Sequence, residues 1–382
     1  MKYVDEFRNP EKAEALQKAI TKLSRQIDKH LKIMEVCGGH THSIFKYGIE
    51  EILTDNIELI HGPGCPVCVM PKGRIDDAIA LCQNPNIIFT TFGDAMRVPG
   101  SQTSLLQAKA QGADIRMVYS PLDSLKIAKE NPNKEIVFFG LGFETTAPST
   151  AFTILRAAAE NITNFSMFCN HVLVIPALQA LLDNPDLEVD GFVGPGHVSM
   201  VIGTKSYQFI SQSYHKPIVI SGFEPLDIFQ SIWMLLKQIV EKRCQVENQY
   251  NRLVEPAGNK NAIAAMNQVF VVREFEWRGL GEIPNSGFKI REQYAQFDAE
   301  VKFIIPNQKI TDPKACQCGE ILKGVLKPWQ CKVFGTACTP ENPIGVCMVS
   351  SEGACAAYYK YGRLSTMAKR DKLGVYPEPL SV

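Results

Sequence analysis

No stretch of this 382-residue chain is long and apolar enough to cross a bilayer. The strand-like run IVFFGLGF (136–143) falls far short of the roughly 20 residues a spanning helix needs. Net charge is absent as well, because 40 Lys and Arg balance 40 Asp and Glu. That balance excludes nucleic acid or an anionic membrane as a partner held mainly by charge. The opening MKYVDEFRNPEKAEALQ lacks the apolar core of a signal peptide, which predicts a cytoplasmic protein. Several motifs are missing too. There is no GxxxxGK[ST] phosphate loop, no GxGxxG opening a helix after the first strand, and no CxxxCxxC of the radical-SAM type. ATP, NAD and radical-SAM chemistry therefore have no support. Paired CxxC…CxxC spacing is also lacking, which argues against a zinc ribbon.

What is present is a globular composition, with 45% hydrophobic and 21% charged residues, enough for more than one core. The length implies two or three domains. The anomaly is twelve cysteines. In a reducing compartment they do not make a disulfide framework, and clustered thiols point to metal or redox chemistry.

A charged, interleaved pattern from Pro10 to about His30 predicts a helix. Eight apolar runs follow, each ending in a Gly- or Pro-containing turn before an amphipathic stretch. They are LKIMEV, IELIHG, NIIFTTFG and DIRMVYS, then EIVFFGLG, FSMFCNHVLV, VDGFVGPG and PIVISGFE. The alternation predicts an α/β protein with parallel sheets of βαβ units. Two such domains are expected, at 31–122 and 123–240, facing a cleft. A smaller, irregular α+β domain is expected from 1–30 together with 241–382. HGPGCPVC (61–68) echoes VGPGHVSM (193–200), and GFETTAP (142–148) echoes GFEPLD (222–227), which suggests a duplication. Ligands bind beyond the carboxyl ends of parallel strands. Cys37, Cys65, Asp94, Glu144, His171, His197 and Glu224 all follow predicted strands and are expected to line the cleft.

The C-terminal region holds Cys316, Cys318, Cys331, Cys338, Cys347 and Cys355 among Gly and Pro. Loop-borne thiolates at this density suit an iron–sulfur cluster first, a structural zinc second, and idle buried cysteines last. Cys65 and Cys68 form a CxxC after a strand, able to close a disulfide or share a metal, and the helical segment after it suggests a helix-start location that lowers a thiol pKa. In MEVCGGHTH (34–42), Cys37 ends a strand and a glycine turn follows. Alternation would set His40 and His42 on one side. Metal binding, a nucleophile with its base, and a simple turn are the three readings. Glu144 in GFETTAP is either a proton-transfer group or part of a helix start, where Pro148 fits the first turn and the Thr145 and Thr146 hydroxyls cap. His197 in GPGHVS serves the cleft or caps a helix. Cys82, Cys169 and Cys244 read as plain buried thiols.

CGGHTH (37–42), GPGCPVC (62–68), GFETTAP (142–148), GPGHVS (194–199) and CTPENPIGVCMVSSEGACAAYY (338–359) together resemble the HypD family of NiFe-hydrogenase maturation factors, over nearly the whole chain. The resemblance implies two similar α/β domains and a third domain with a 4Fe–4S cluster. It implies a scaffold with redox chemistry, not a conventional turnover enzyme, on which iron receives cyanide and carbon monoxide. The partners implied are a HypC-type chaperone, a HypE-type cyanide donor and the hydrogenase large-subunit precursor. By motif, Cys37 would bind the iron under assembly and Cys65/Cys68 would be a redox pair. The residues themselves add His40 and His42 as supports, Glu144 and His197 as cleft groups, and an expected relay of electrons from the cluster through Cys65/Cys68 to the Cys37 site. The family pattern C-x14-C-x6-C-x16-C falls on Cys316, Cys331, Cys338 and Cys355, with Cys318 and Cys347 as alternates. A free-standing iron–sulfur thiol–disulfide oxidoreductase and a zinc-stabilised interaction protein are the competing readings.

Overall fold

The computed structural model describes residues 5–362. Positions 1–4 and 363–382 of the expected third domain lie outside the described residues. The described residues form eleven strands: β1 (Leu31–Glu35), β2 (Ile57–His61), β3 (Ile87–Thr91), β4 (Ile115–Met117), β5 (Glu135–Gly142), β6 (Phe165–His171), β7 (Gly191–Pro195), β8 (Ile218–Ser221), β9 (Val246–Asn248), β10 (Phe270–Trp277) and β11 (Gly281–Ile290). All eight predicted strands are among them. β3 and β6 are buried along their whole length, as strands covered on both faces by helices must be.

The strands form two parallel sheets and one antiparallel hairpin. The larger sheet runs β2-β1-β7-β8-β9 and the other β4-β3-β5-β6, while β10 pairs with β11. The expected boundaries 31–122 and 123–240 are therefore not sheet boundaries. β1 pairs with β7, Ile33 opposite Gly191, so the β3–β6 unit is inserted between two halves of the larger sheet. Leaving out the edge strand β9, each sheet has the same order of four strands, outer strand first: second, first, third, fourth in chain order within the unit. The duplicated architecture is real, but the echoed peptides are not its equivalent parts. HGPGCPVC follows β2 and VGPGHVSM follows β7, and both strands flank β1 in one sheet.

The N-terminal helix is shorter than predicted, Pro10–Ser24, started by Pro10 and by an Asn9 side chain that accepts the Lys12 N–H at 2.9 Å. It does not join the cysteine region. Its apolar stripe, including Ile20, packs on Ile232, Leu235 and Leu236 of the helix Pro225–Val240, over the larger sheet. The span beyond 241 is divided as well. β9 extends the larger sheet, and the hairpin β10–β11 lies along β6 of the smaller, bridged between Val172 and Gly287. Only the segment from about 316 to 362 is a separate cysteine-bearing lobe. It leans on the larger sheet, where Gly324 meets Ile60 and Met34 and the helix Ala354–Tyr361 meets the helix Gly38–Lys46.

Candidate functional site

The carboxyl ends of both sheets open into one cavity of about 390 Å3. Its wall includes Cys37 after β1, Gly64 and Pro66 after β2, Thr145 and Thr146 after β5, His197 after β7, and Glu352 from the cysteine lobe. Four motifs far apart in the chain meet there, because parallel strands deliver their following loops to one edge.

Cys37 is the cap residue of the helix Gly38–Lys46, with no free turn between strand and helix. Helical rotation then separates His40 from His42, contrary to the expected shared side. The His40 Nε2–H donates to the Ser221 and Gly222 carbonyls at 3.2 and 3.0 Å, leaving buried Nδ1 unpartnered. His42 reaches the Ser351 carbonyl at 3.3 Å and the Tyr361 ring. Phe223 lies between His40 and His197, stacked at 4.7 and 3.7 Å. The glycines serve close approach more than a turn. A Cβ on Gly38 would strike Glu352, one on Gly39 would strike Phe223, and one on Gly64 would strike the Cys37 backbone.

Burial, then the charge of Glu352, push the Cys37 thiol well up, while backbone N–H groups of Gly39 and His40 pull it down. Sequence reasoning passed over two carboxylates that frame this thiol. Glu35, fully buried, accepts the Cys37 N–H at 2.9 Å, the Thr41 hydroxyl, and His61 Nδ1 at 2.7 Å. A charged residue inside the apolar run LKIMEV was the available signal. Glu352, between cluster-region cysteines, carried none until the lobe was placed against Cys37. Its carboxyl is raised by burial and by nearby Asp94 and Glu35.

Cys65 and Cys68 are joined as a disulfide and are both buried. They close one turn, with the Cys68 N–H on the Cys65 carbonyl at 3.0 Å, and the next helix starts only at Lys72. The expected helix-start position is therefore not found.

Glu144 is buried and turned away from the helix that follows it. Its carboxylate accepts the Val174 N–H at 3.1 Å, at the first residue of the helix Val174–Leu182. Thr146 occupies the cap position of the helix Ala147–Ala159 without a capping bond, and Pro148 fits its first turn. His171 contacts the Thr150 hydroxyl at 3.0 Å, and Asp94 accepts from Ser350. Glu224 faces outward to Arg8 at 2.9 Å and takes no part in the cavity. Burial holds both His171 and His197 at about 4, so both are neutral at pH 7, His197 also feeling His40. Cys82 and Cys169 are buried as expected, but Cys244 is exposed, with its thiol on the His215 carbonyl at 3.0 Å.

Burial raises Glu144 to about 7, above its ordinary 4.5. An acid raised in the folded state binds more protons there than in the unfolded chain between those values, so its contribution to stability falls as pH rises from 4.5 to 7. Glu144→Gln keeps the acceptor for Val174 and removes the charge. Melting temperatures should fall from pH 5 to 7.5 more steeply for wild type than for the variant, by an amount equivalent to up to roughly 3 kcal/mol. Parallel slopes in thermal denaturation would refute this.

The cysteine lobe collects all six C-terminal thiols in one apolar core. Cys316 contacts Cys318, and Cys347 contacts Cys318 and Cys355 through sulfur. Cys338 accepts the Ile344 N–H at 3.4 Å, and Cys331 is buried nearby. A Cβ at Gly345 would strike the Cys316 and Cys318 sulfurs. Among the described residues, no three His, Cys, Asp or Glu side chains are arranged to hold a single metal ion. This all-thiol donor set, buried except for half-buried Cys316 and with a backbone N–H on the Cys338 sulfur, is compatible with a metal site.

The sequence model of the family HypD, described as the hydrogenase formation hypA family, matches residues 11–362. The chain is 54% identical over 378 residues to hydrogenase maturation factor HypD2 of Bradyrhizobium diazoefficiens, covering 97% of this chain and 99% of that protein. It is 54% identical over 371 residues to hydrogenase maturation factor HypD of Rhodobacter capsulatus, covering 95% and 98%. The corresponding HypD of Escherichia coli is 53% identical over 366 residues, 94% of this chain and 98% of that one.

Proposed function

The chain belongs to the HypD family of hydrogenase maturation factors, and from that premise we propose that it is the scaffold on which the iron unit carrying two cyanides and one carbon monoxide is assembled. The observation that carries this reading is the cavity of about 390 Å3, in which Cys37 meets the GPGCPVC loop, His197 and Glu352. Iron is the cargo. Cys37 contributes a soft thiolate, which suits low-spin Fe(II) bearing strong-field ligands, and a cysteine of a HypC-type chaperone completes the grip from the open side. Cyanide comes from a HypE-type donor and the finished unit passes to the large-subunit precursor. No helix among the described residues is long and apolar enough to cross a membrane, and the reading sets this exchange in the cytoplasm.

A 4Fe–4S cluster in the lobe would supply single electrons. Cys316 and Cys355 belong to it by spacing and lie in the network of thiol contacts. Cys331 and Cys338 complete the spacing set, with Cys318 and Cys347 as supporting thiols. The Cys65–Cys68 disulfide takes two electrons and two protons to open into two thiols, next to the cavity that holds the iron.

The test is infrared spectroscopy of anaerobically purified protein with its partners. Cyanide and carbonyl stretching bands are expected, together with four irons and acid-labile sulfide in the lobe. Zinc in place of iron, or iron and sulfide without the infrared bands, would overturn the scaffold reading.

A further inference from the structure

The tip of the hairpin β10–β11 touches both thiol centres. The backbone N–H of Arg278, the first residue past β10, donates to the Val69 carbonyl at 2.8 Å, one residue after the CxxC. Beside it, Gly279 packs so closely on Gly319 that a Cβ would strike that backbone, and Gly319 follows Cys318. Arg278 is only 4% exposed. Its guanidinium touches Asp312 as an ion pair, yet Nε, Nη1 and Nη2 have no hydrogen-bond partner in suitable geometry. Five N–H donors on a permanent cation are thus held out of water with one partly exposed carboxylate for company. Such a group is costly unless something anionic meets it.

We propose that Arg278 is the built-in countercharge of the cysteine centre, its guanidinium facing the sulfurs of the bound cluster and raising the cluster's reduction potential. The inference rests on the iron–sulfur reading above. Cluster potentials are set by net charge, hydrogen bonds to sulfur and solvent exposure. A buried cation stabilises the more negative, reduced state by electrostatics, and its N–H groups add charge-assisted bonds to sulfur. Arg278 exchanges no electron in this reading and acts on the centre through its charge. Because its own backbone holds the CxxC loop, tuning and placement reside in one residue.

The test uses the full chain, reconstituted anaerobically with iron and sulfide, and a redox titration followed by visible absorbance and electron paramagnetic resonance. Arg278→Gln should weaken reduction of the cluster at least tenfold, a 59 mV drop for one electron, with iron and sulfide content retained. Arg278→Lys should recover most of the shift. Asp312→Asn, which removes the opposing charge, should move the potential upward. An unchanged potential in Arg278→Gln with a full cluster would overturn the inference. If that variant holds no cluster, Asp312→Asn decides: an upward shift supports the countercharge and no shift overturns it. A wild-type protein that takes up zinc, or no iron, would remove the iron–sulfur reading itself and the inference with it.

Discussion

Replacing Cys37 by Ala should abolish the cyanide and carbonyl infrared bands of protein purified with its partners, while leaving the iron and sulfide of the C-terminal lobe at wild-type content. The expectation follows from geometry. Among the described residues, Cys37 is the only cysteine lining the cavity; Cys65 and Cys68 lie beside it, joined to each other. Its surroundings are fixed without its side chain: the Cys37 N–H stays on Glu35, and the close packing of Gly64 on this backbone does not depend on sulfur. The change removes one sulfur from a nearly buried site, so the stability loss should be about 1 kcal/mol and the fold should persist. Cys37→Ser offers a harder oxygen of similar shape and should lose the bands as well, because a soft donor is what the low-spin iron needs. Bands at wild-type intensity in Cys37→Ala would refute the role of Cys37. Loss of lobe iron in the same variant would show that the substitution damages the whole molecule.

Replacing Cys65 or Cys68 by Ala should leave cluster absorbance intact and abolish cyanide uptake. The pair is buried beside the cavity, and each cysteine alone can neither form nor open the bond. Both single variants should fail to the same degree, because a two-thiol couple needs both sulfurs. A merely structural disulfide would behave differently. Its loss from a three-residue span removes little chain entropy, and the variants would still accept cyanide. Normal cyanide-bearing iron in either variant would therefore rule out the redox role, and the lobe's absorbance serves as the control for folding.

Strand positions were legible because each buried parallel strand reads as a continuous apolar run closed by Gly or Pro. Sheet membership was not. The run LKIMEV pairs with both its neighbour in sequence and a strand far downstream, and no local pattern encodes the second pairing. Of the residues expected in a cleft because they follow parallel strands, Cys37 and His197 line the cavity, and Cys65 sits between the lining residues Gly64 and Pro66. Glu144 and Glu224 also follow strands, yet one holds a helix start and the other pairs with Arg8 on the outside. The pattern locates the edge of a sheet but not the direction in which a side chain leaves it. The relative placement of His40 and His42 failed because the chain turns helical at Gly38, and the run CGGHTH carries no apolar periodicity that announces a helix. Glu352 became visible as a site residue only once the lobe was seated, since a tertiary contact is what brings it to Gly38.

The insertion of one sheet inside the other has a kinetic consequence. β1 and β2 emerge early in synthesis, but β1 gains its second neighbour only when β7 is made, after the whole β3–β6 unit. Closing that long loop is entropically slow for an unstructured chain and fast once the intervening segment has collapsed into its own sheet. The inserted unit is therefore expected to fold first and act as the template that brings the ends of the larger sheet together. Until then Cys37 has neither His197 nor Glu352 beside it. A nascent or half-folded chain thus presents Cys37 as an isolated thiol instead of as part of a pocket, and under the proposed scaffold role the order of the strands would defer iron loading to the finished molecule.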